Sequence, residues 1–187
     1  MNLPNKLTLL RVILIPFFVL FALWEFSSVN LFIALLIFAV ASITDMLDGK
    51  IARSRNLITN FGKFLDPLAD KALVMAALLV FVDKNWVSSV PVMIILFREF
   101  MVSALRLVVK SGDGTVVAAG WLGKVKTAFT MVAIVVTLFL HGIIAVGVEI
   151  AVVSIIDNIL VWLAAILTAV SGAQYLWAYR SAIDTNE

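Results

Sequence analysis

Long apolar runs without a charged side chain decide the solvent in which this chain folds. Thr127–Val148 and Asn158–Tyr179 contain no Asp, Glu, Lys or Arg, and Val12–Trp24, Phe26–Thr44, Ala72–Val82 and Asn85–Phe97 are shorter runs of the same kind. A membrane-crossing helix needs roughly 20 mostly apolar residues. The shorter runs reach that length only if their helices continue past charged residues. The pattern predicts an all-α integral membrane protein with six transmembrane helices, over about 7–25, 30–55, 62–82, 86–110, 122–145 and 150–178. The residues NLPNKLTLLR read as a short interfacial segment leading into the first helix. Turn chemistry marks the breaks at Ser27–Asn30, Asn60–Gly62, Asp83–Asn85 and Gly112–Gly114. With no internal repeat or low-complexity stretch, residues 1–187 read as a single transmembrane domain.

Composition closes the other routes. The chain is 63% hydrophobic and only 14% charged, against about half and a quarter for soluble domains. That excludes a soluble globular enzyme and a disordered chain. The absence of cysteine excludes disulfides, zinc-thiolate sites, Fe–S clusters and thiol catalysis. His141 is the single histidine, which argues against a histidine metal site or a Ser-His-Asp triad and reads as structural. A net charge of +2 does not suggest a nucleic acid partner.

All Lys and Arg residues except Lys84 fall on one side of this layout. The positive-inside rule then places both termini in the cytoplasm. Trp24 and Trp86 are expected near the outer interface, and Trp121 and Trp177 near the inner one. FALWEF, after the first apolar run, lacks a small-residue cleavage pattern, which argues against a signal peptide.

Depth brings the charges together. At about 1.5 Å per helical residue, Asp45 lies about 22 Å beyond Asn30, Asp70 about 20 Å before Asp83, Arg98 about 18 Å beyond Trp86, and Lys126 about 22 Å before His141. The hydrocarbon layer is about 30 Å thick, so four helices place ionisable groups at a similar depth in its cytoplasmic half. Lysines near helix ends can snorkel to the headgroups. Aspartates are too short for that, and unpaired acids would repel, so the layer predicts a polar functional cavity.

The acids occur as two helical pairs. Asp45 and Asp48 are three apart, Asp66 and Asp70 four apart, and each pair shares one helix face. Gly49 and Ala52 keep the first face thin, and Gly62 lies one turn before Asp66. Four converging carboxylates cannot all stay ionised without cations. Hard divalent ions with oxygen ligands are the natural partners, and two of them about 4 Å apart suit an in-line displacement at phosphorus.

The pattern D-x2-D-G-x2-A-R-x8-G-x3-D-x3-D, met by Asp45, Asp48, Gly49, Ala52, Arg53, Gly62, Asp66 and Asp70, resembles the signature of the CDP-alcohol phosphatidyltransferase family. NLPNKLTLLRVILIP, FREF and GKVKT resemble the bacterial branch whose acceptor is glycerol 3-phosphate. The resemblance implies the family's six-helix fold, homodimerisation, and transfer of a phosphatidyl group from CDP-diacylglycerol to an alcohol with release of CMP. It implies two Mg²⁺ or Mn²⁺ ions held by Asp45, Asp48, Asp66 and Asp70, with Asp70 also the general base. It also implies a CDP-diacylglycerol site lined by Gly49, Ala52, Arg53 and Gly62. The donor's pyrophosphate would lie at the cytoplasmic membrane boundary, where the acids are, with its acyl chains among the membrane lipids.

With the acids committed to metals, Arg98, Arg106, Lys124 and Lys126 form a surplus of bases that fits the phosphate of glycerol 3-phosphate. Arg98 and Arg106 are eight residues apart and differ by about 80° in direction, so both can border one cavity. Lys124 and Lys126 adjoin the start of the fifth helix, whose dipole favours an anion. Adjacent residues on a helix do not face each other, so an Arg98–Glu99 pair is expected to be poor. Thr8 and Arg11 read as interfacial anchors more than acceptor ligands. The alternatives are a cardiolipin synthase of the same family, accepting phosphatidylglycerol, and a cation-coupled transporter. The second would be favoured by inverted repeats, which the sequence lacks.

Overall fold

The computed structural model describes residues 3–24, 27–54, 60–111 and 120–179, with 3–4, 46–54, 60–64, 66–67 and 107–111 described by backbone alone. Six helices follow one another: α1 (Leu3–Leu23), α2 (Asn30–Ser54), α3 (Asn60–Asp83), α4 (Ser89–Ser111), α5 (Trp121–Ala145) and α6 (Val153–Ala178). No strand occurs among the described residues. The first helix starts at Leu3, so the polar residues Asn5, Thr8 and Arg11 belong to the same helix as the apolar run after them. Asn60-Phe61-Gly62 form the first turn of α3 rather than a break. The break expected at Gly112–Gly114 lies outside the described residues.

The described turns use specific backbone chemistry. At the end of α3, Asn85 takes the left-handed conformation (φ 57°), which Asn tolerates better than most residues. Its N–H donates to the Val82 carbonyl at 3.0 Å, and the Trp86 N–H reaches back to Phe81 at 2.9 Å. The Phe81 and Trp86 rings then pack at 5.5 Å. This is a Schellman cap with its hydrophobic contact. Gly147 (φ 98°) closes α5 in the same way, with Val148 N–H donating to Ile143 and Gly147 N–H to Ile144. Between α1 and α2, the buried Asn30 amide donates to the Trp24 carbonyl. Ser88 caps α4 through its hydroxyl, which accepts from the Val90 N–H at 3.4 Å.

The chain forms two compact units. The first comprises Met1–Trp86 with Ile134–Val153, the second Val87–Ala133 with Ser154–Glu187. In the first, α1 packs on both α2 and α3. Ala34, Ala41, Ala69 and Ala77 are buried there and let the backbones approach, while Phe18 and Phe38 fill the space between at 5.8 Å. His141 stacks flat on Trp86 at 3.7 Å in the same unit, a structural contact. In the second unit Val92, Ile95, Val102, Val161, Ala164 and Ala165 are buried.

Large apolar side chains face outward, among them Leu36, Met93, Phe97, Phe100, Ile155 and Ile166. In a lipid solvent that is the stable orientation, since only the backbone must be satisfied internally. Among the described residues, α1 (from Asn5), α5 and α6 are each long and apolar enough to cross a membrane, and Asn30–Asp45 of α2 is a shorter apolar stretch. The protein is an integral membrane protein.

Candidate functional site

Asp45 and Asp70 are the two signature acids whose side chains are described. Asp45 sits on α2 and Asp70 on α3, both partly exposed. Asp48, Gly49, Ala52 and Arg53 fall on the α2 backbone, and Gly62 and Asp66 on that of α3. Their side chains lie outside the described residues. Helix geometry keeps each acid pair on one face, and α2 and α3 pack in the same unit.

Arg11 corrects the reading of α1. It is wholly buried, as is Thr8, so neither is an interfacial anchor. Arg11 Nη1 lies 2.7 Å from Asp45 Oδ1, and its Nε donates to the Ala41 carbonyl at 3.4 Å. Ala41 and Asp45 are one turn apart on α2, so one guanidinium spans that turn. Asn5, Thr8 and Arg11, spaced by three, form one buried polar stripe on α1. Spacing alone could have flagged this stripe, because a polar i, i+3, i+6 series on an apolar helix marks an inward face.

The donor set fits hard divalent cations. Asp45 keeps 36% of its side chain exposed despite its ion pair, so the carboxylate is not sealed inside the protein. The set contains only carboxylate oxygens, the ligands that Mg²⁺ and Mn²⁺ prefer. Among the described residues no three metal-ligating side chains come together. Two of the four predicted ligands, Asp48 and Asp66, are not among those side chains.

The bases belong to the second unit. Arg98 is buried in α4. Its Nη1 donates to Glu99 Oε1 at 3.1 Å and its Nη2 to Ser171 Oγ on α6 at 2.8 Å. The Arg98–Glu99 pair therefore forms, against expectation. Both side chains are long enough to fold back, and Glu99 is also drawn to Lys126 of α5, which it contacts through the same oxygen. One carboxylate thus gathers two cations, because an isolated charge at this depth costs several kcal/mol.

Arg106 is exposed at its α4 position and donates to the Tyr175 hydroxyl from Nε at 3.1 Å and from Nη2 at 2.8 Å. Its guanidinium carbon also lies 5.0 Å from the Tyr175 ring centroid. Both α4 arginines therefore face α6, as their 80° separation allows. Lys124 and Lys126 point apart, two residues being about 200° on a helix. Lys126 turns inward to Glu99 while Lys124 is exposed. Sequence reasoning discounted Glu99 as a partner of Arg98 and missed it for Lys126, and it missed Ser171 and Tyr175, which lie 73 and 69 residues from their arginines.

The first unit thus carries the signature acids on α2 and α3, and the second a cluster of bases on α4 and α5 held by Glu99 and by α6. The model of the CDP-alcohol phosphatidyltransferase family matches residues 1–178, and the chain belongs to that family. It is 42% identical to a CDP-diacylglycerol–glycerol-3-phosphate 3-phosphatidyltransferase of Bacillus subtilis, over 99% of this chain and 98% of the relative. It is 43% identical to the protein of that name from Escherichia coli K12, and 39% to that from Rickettsia felis, each over 96% of both chains.

Proposed function

We propose that this protein transfers a phosphatidyl group from CDP-diacylglycerol to glycerol 3-phosphate, forming phosphatidylglycerol phosphate and CMP. The observation that carries this reading is 42% and 43% identity, over nearly the whole chain, to relatives bearing that activity in their names, on a chain that has the complete aspartate signature. Residues 1–187 act as one catalytic domain. The protein works as a homodimer in the cytoplasmic membrane, with both termini and the reacting groups on the cytoplasmic side.

Asp45, Asp48, Asp66 and Asp70 hold two divalent cations, Mg²⁺ or Mn²⁺. When bound, these ions supply charge neutralisation for the donor's pyrophosphate and for the departing CMP. Gly49, Ala52, Arg53 and Gly62 hold the CDP portion of the donor. Asp70 accepts the proton of the glycerol 3-phosphate hydroxyl as its oxygen bonds to the phosphatidyl phosphorus and the bond from that phosphorus to CMP breaks. Arg98, Arg106, Lys124 and Lys126 bind the acceptor's phosphate. Arg106 supports that role, because its orienting partner, the Tyr175 hydroxyl, is neutral and does not offset its charge.

The test is acceptor competition with purified protein, CDP-diacylglycerol and a divalent cation. Labelled glycerol 3-phosphate is expected in the lipid product with matching CMP release. Incorporation of phosphatidylglycerol instead would make the protein a cardiolipin synthase, and absence of metal-dependent CMP release would favour a transporter.

A further inference from the structure

The two α4 arginines take their orientation from α6. Arg98 lies directly against the backbone of that helix: a Cβ on Gly172 would come 2.8 Å from Arg98 Cγ and 3.3 Å from its Nε. Real Cβ atoms do not approach that closely, so glycine is what admits the arginine stem. Ser171, the preceding residue, then accepts from Nη2. One turn further along α6, Tyr175 accepts from Arg106. Its ring is held in turn, buried against Val102 and stacked on Tyr179 at 5.3 Å, with Met101 and Leu105 packed alongside.

The partners differ in what they do to the charge. Glu99 offsets the charge of Arg98. Tyr175 is a neutral hydroxyl and orients Arg106 without offsetting its charge. It occupies the Nε–Nη2 edge of the guanidinium, which leaves the Nη1–Nη2 edge of an exposed residue for a ligand. That edge offers two parallel N–H donors, the geometry that matches two oxygens of a phosphate.

We propose that Ser171, Gly172 and Tyr175 are positioning residues that aim Arg98 and Arg106 at the acceptor's phosphate. This rests on the reading that the two arginines bind that phosphate. Tyr175 sets the direction of a charged fork, and Gly172 sets how deep the second arginine sits.

The test uses the full-length enzyme in lipid nanodiscs, with glycerol 3-phosphate and CDP-diacylglycerol varied in turn. Tyr175→Phe keeps the ring and removes the hydroxyl. It should raise the KM for glycerol 3-phosphate about tenfold, the scale of one hydrogen bond to a charged group, with the donor KM within twofold of the parent. Gly172→Ala should act in the same direction, and Ser171→Ala more weakly. A merely structural role would lower the melting temperature or kcat without splitting the two KM values, and that result overturns the proposal. Arg106→Ala is the control. If it raises the acceptor KM while Tyr175→Phe does not, the positioning role is wrong and the acceptor reading stands. If neither variant nor Arg98→Lys moves that KM, the acceptor reading fails, and the proposal with it.

Discussion

Arg11 of α1 and Asp45 of α2 are joined by an ion pair of 2.7 Å in which the guanidinium is wholly buried and the carboxylate is about one-third exposed. The asymmetry predicts unequal costs. Asp45→Ala takes a carboxylate partner from a buried cation and should be the more destabilising of the two changes. Arg11→Met leaves behind an acid that water can reach, and should cost less. Thermal unfolding of the metal-free protein in detergent checks the order, and a reversed order would show that the exposed acid, not the buried base, carries the energetic burden.

The same pair bears on metal affinity. Groups that hold a ligating carboxylate typically change affinity by 10–100-fold when removed. Titration of Mn²⁺, followed by the free-ion spin resonance signal, should show Arg11→Met binding about tenfold more weakly than the parent. Tighter binding would mean that Arg11 acts through charge repulsion and does not orient Asp45.

Asp70 is proposed both as ligand and base. Asp70→Asn retains an oxygen donor but cannot take a proton, so turnover should fall by at least about 10²-fold, measured as CMP release in a single turnover. Near-parental turnover would remove the base role. Chelation with EDTA should likewise abolish CMP release, and added Mg²⁺ or Mn²⁺ should restore it. Helical circular dichroism should stay constant throughout, because apolar burial and intrahelical hydrogen bonds build these helices.

Gly142 on α5 has Phe32 of α2 against it: an added Cβ would lie 3.0 Å from the ring. Phe32 also meets Phe139 edge-on at 6.2 Å, which limits how far the ring can move. Gly142→Val should therefore overpack the contact and cost about 1–3 kcal/mol, seen as a lower melting temperature. Activity per folded molecule should be retained.

What could be read along the chain was local. Six helices follow from the apolar runs, and α2, α5 and α6 end within a few residues of their expected limits. The acid pairs follow from the helical period, because residues three and four apart share a face wherever the helix is placed. Even the turn at Asp83–Asn85 was legible, since a left-handed cap favours Asn or Gly by backbone sterics alone.

What the tertiary structure decided was the pairing of charges. Arg11 could have served the interface, yet its rotation about α1 carries it inward to Asp45. Glu99 could have stayed apart from its neighbour Arg98, yet it collects both Arg98 and Lys126. Arg106 finds its partner 69 residues away on α6. Each outcome depends on how one helix is rotated against another, which is settled by packing over their whole length. In a low-dielectric solvent an ionisable group must find a partner. The sequence alone therefore determined that acids and bases would share one layer, and only the packed helices decided which of them pair.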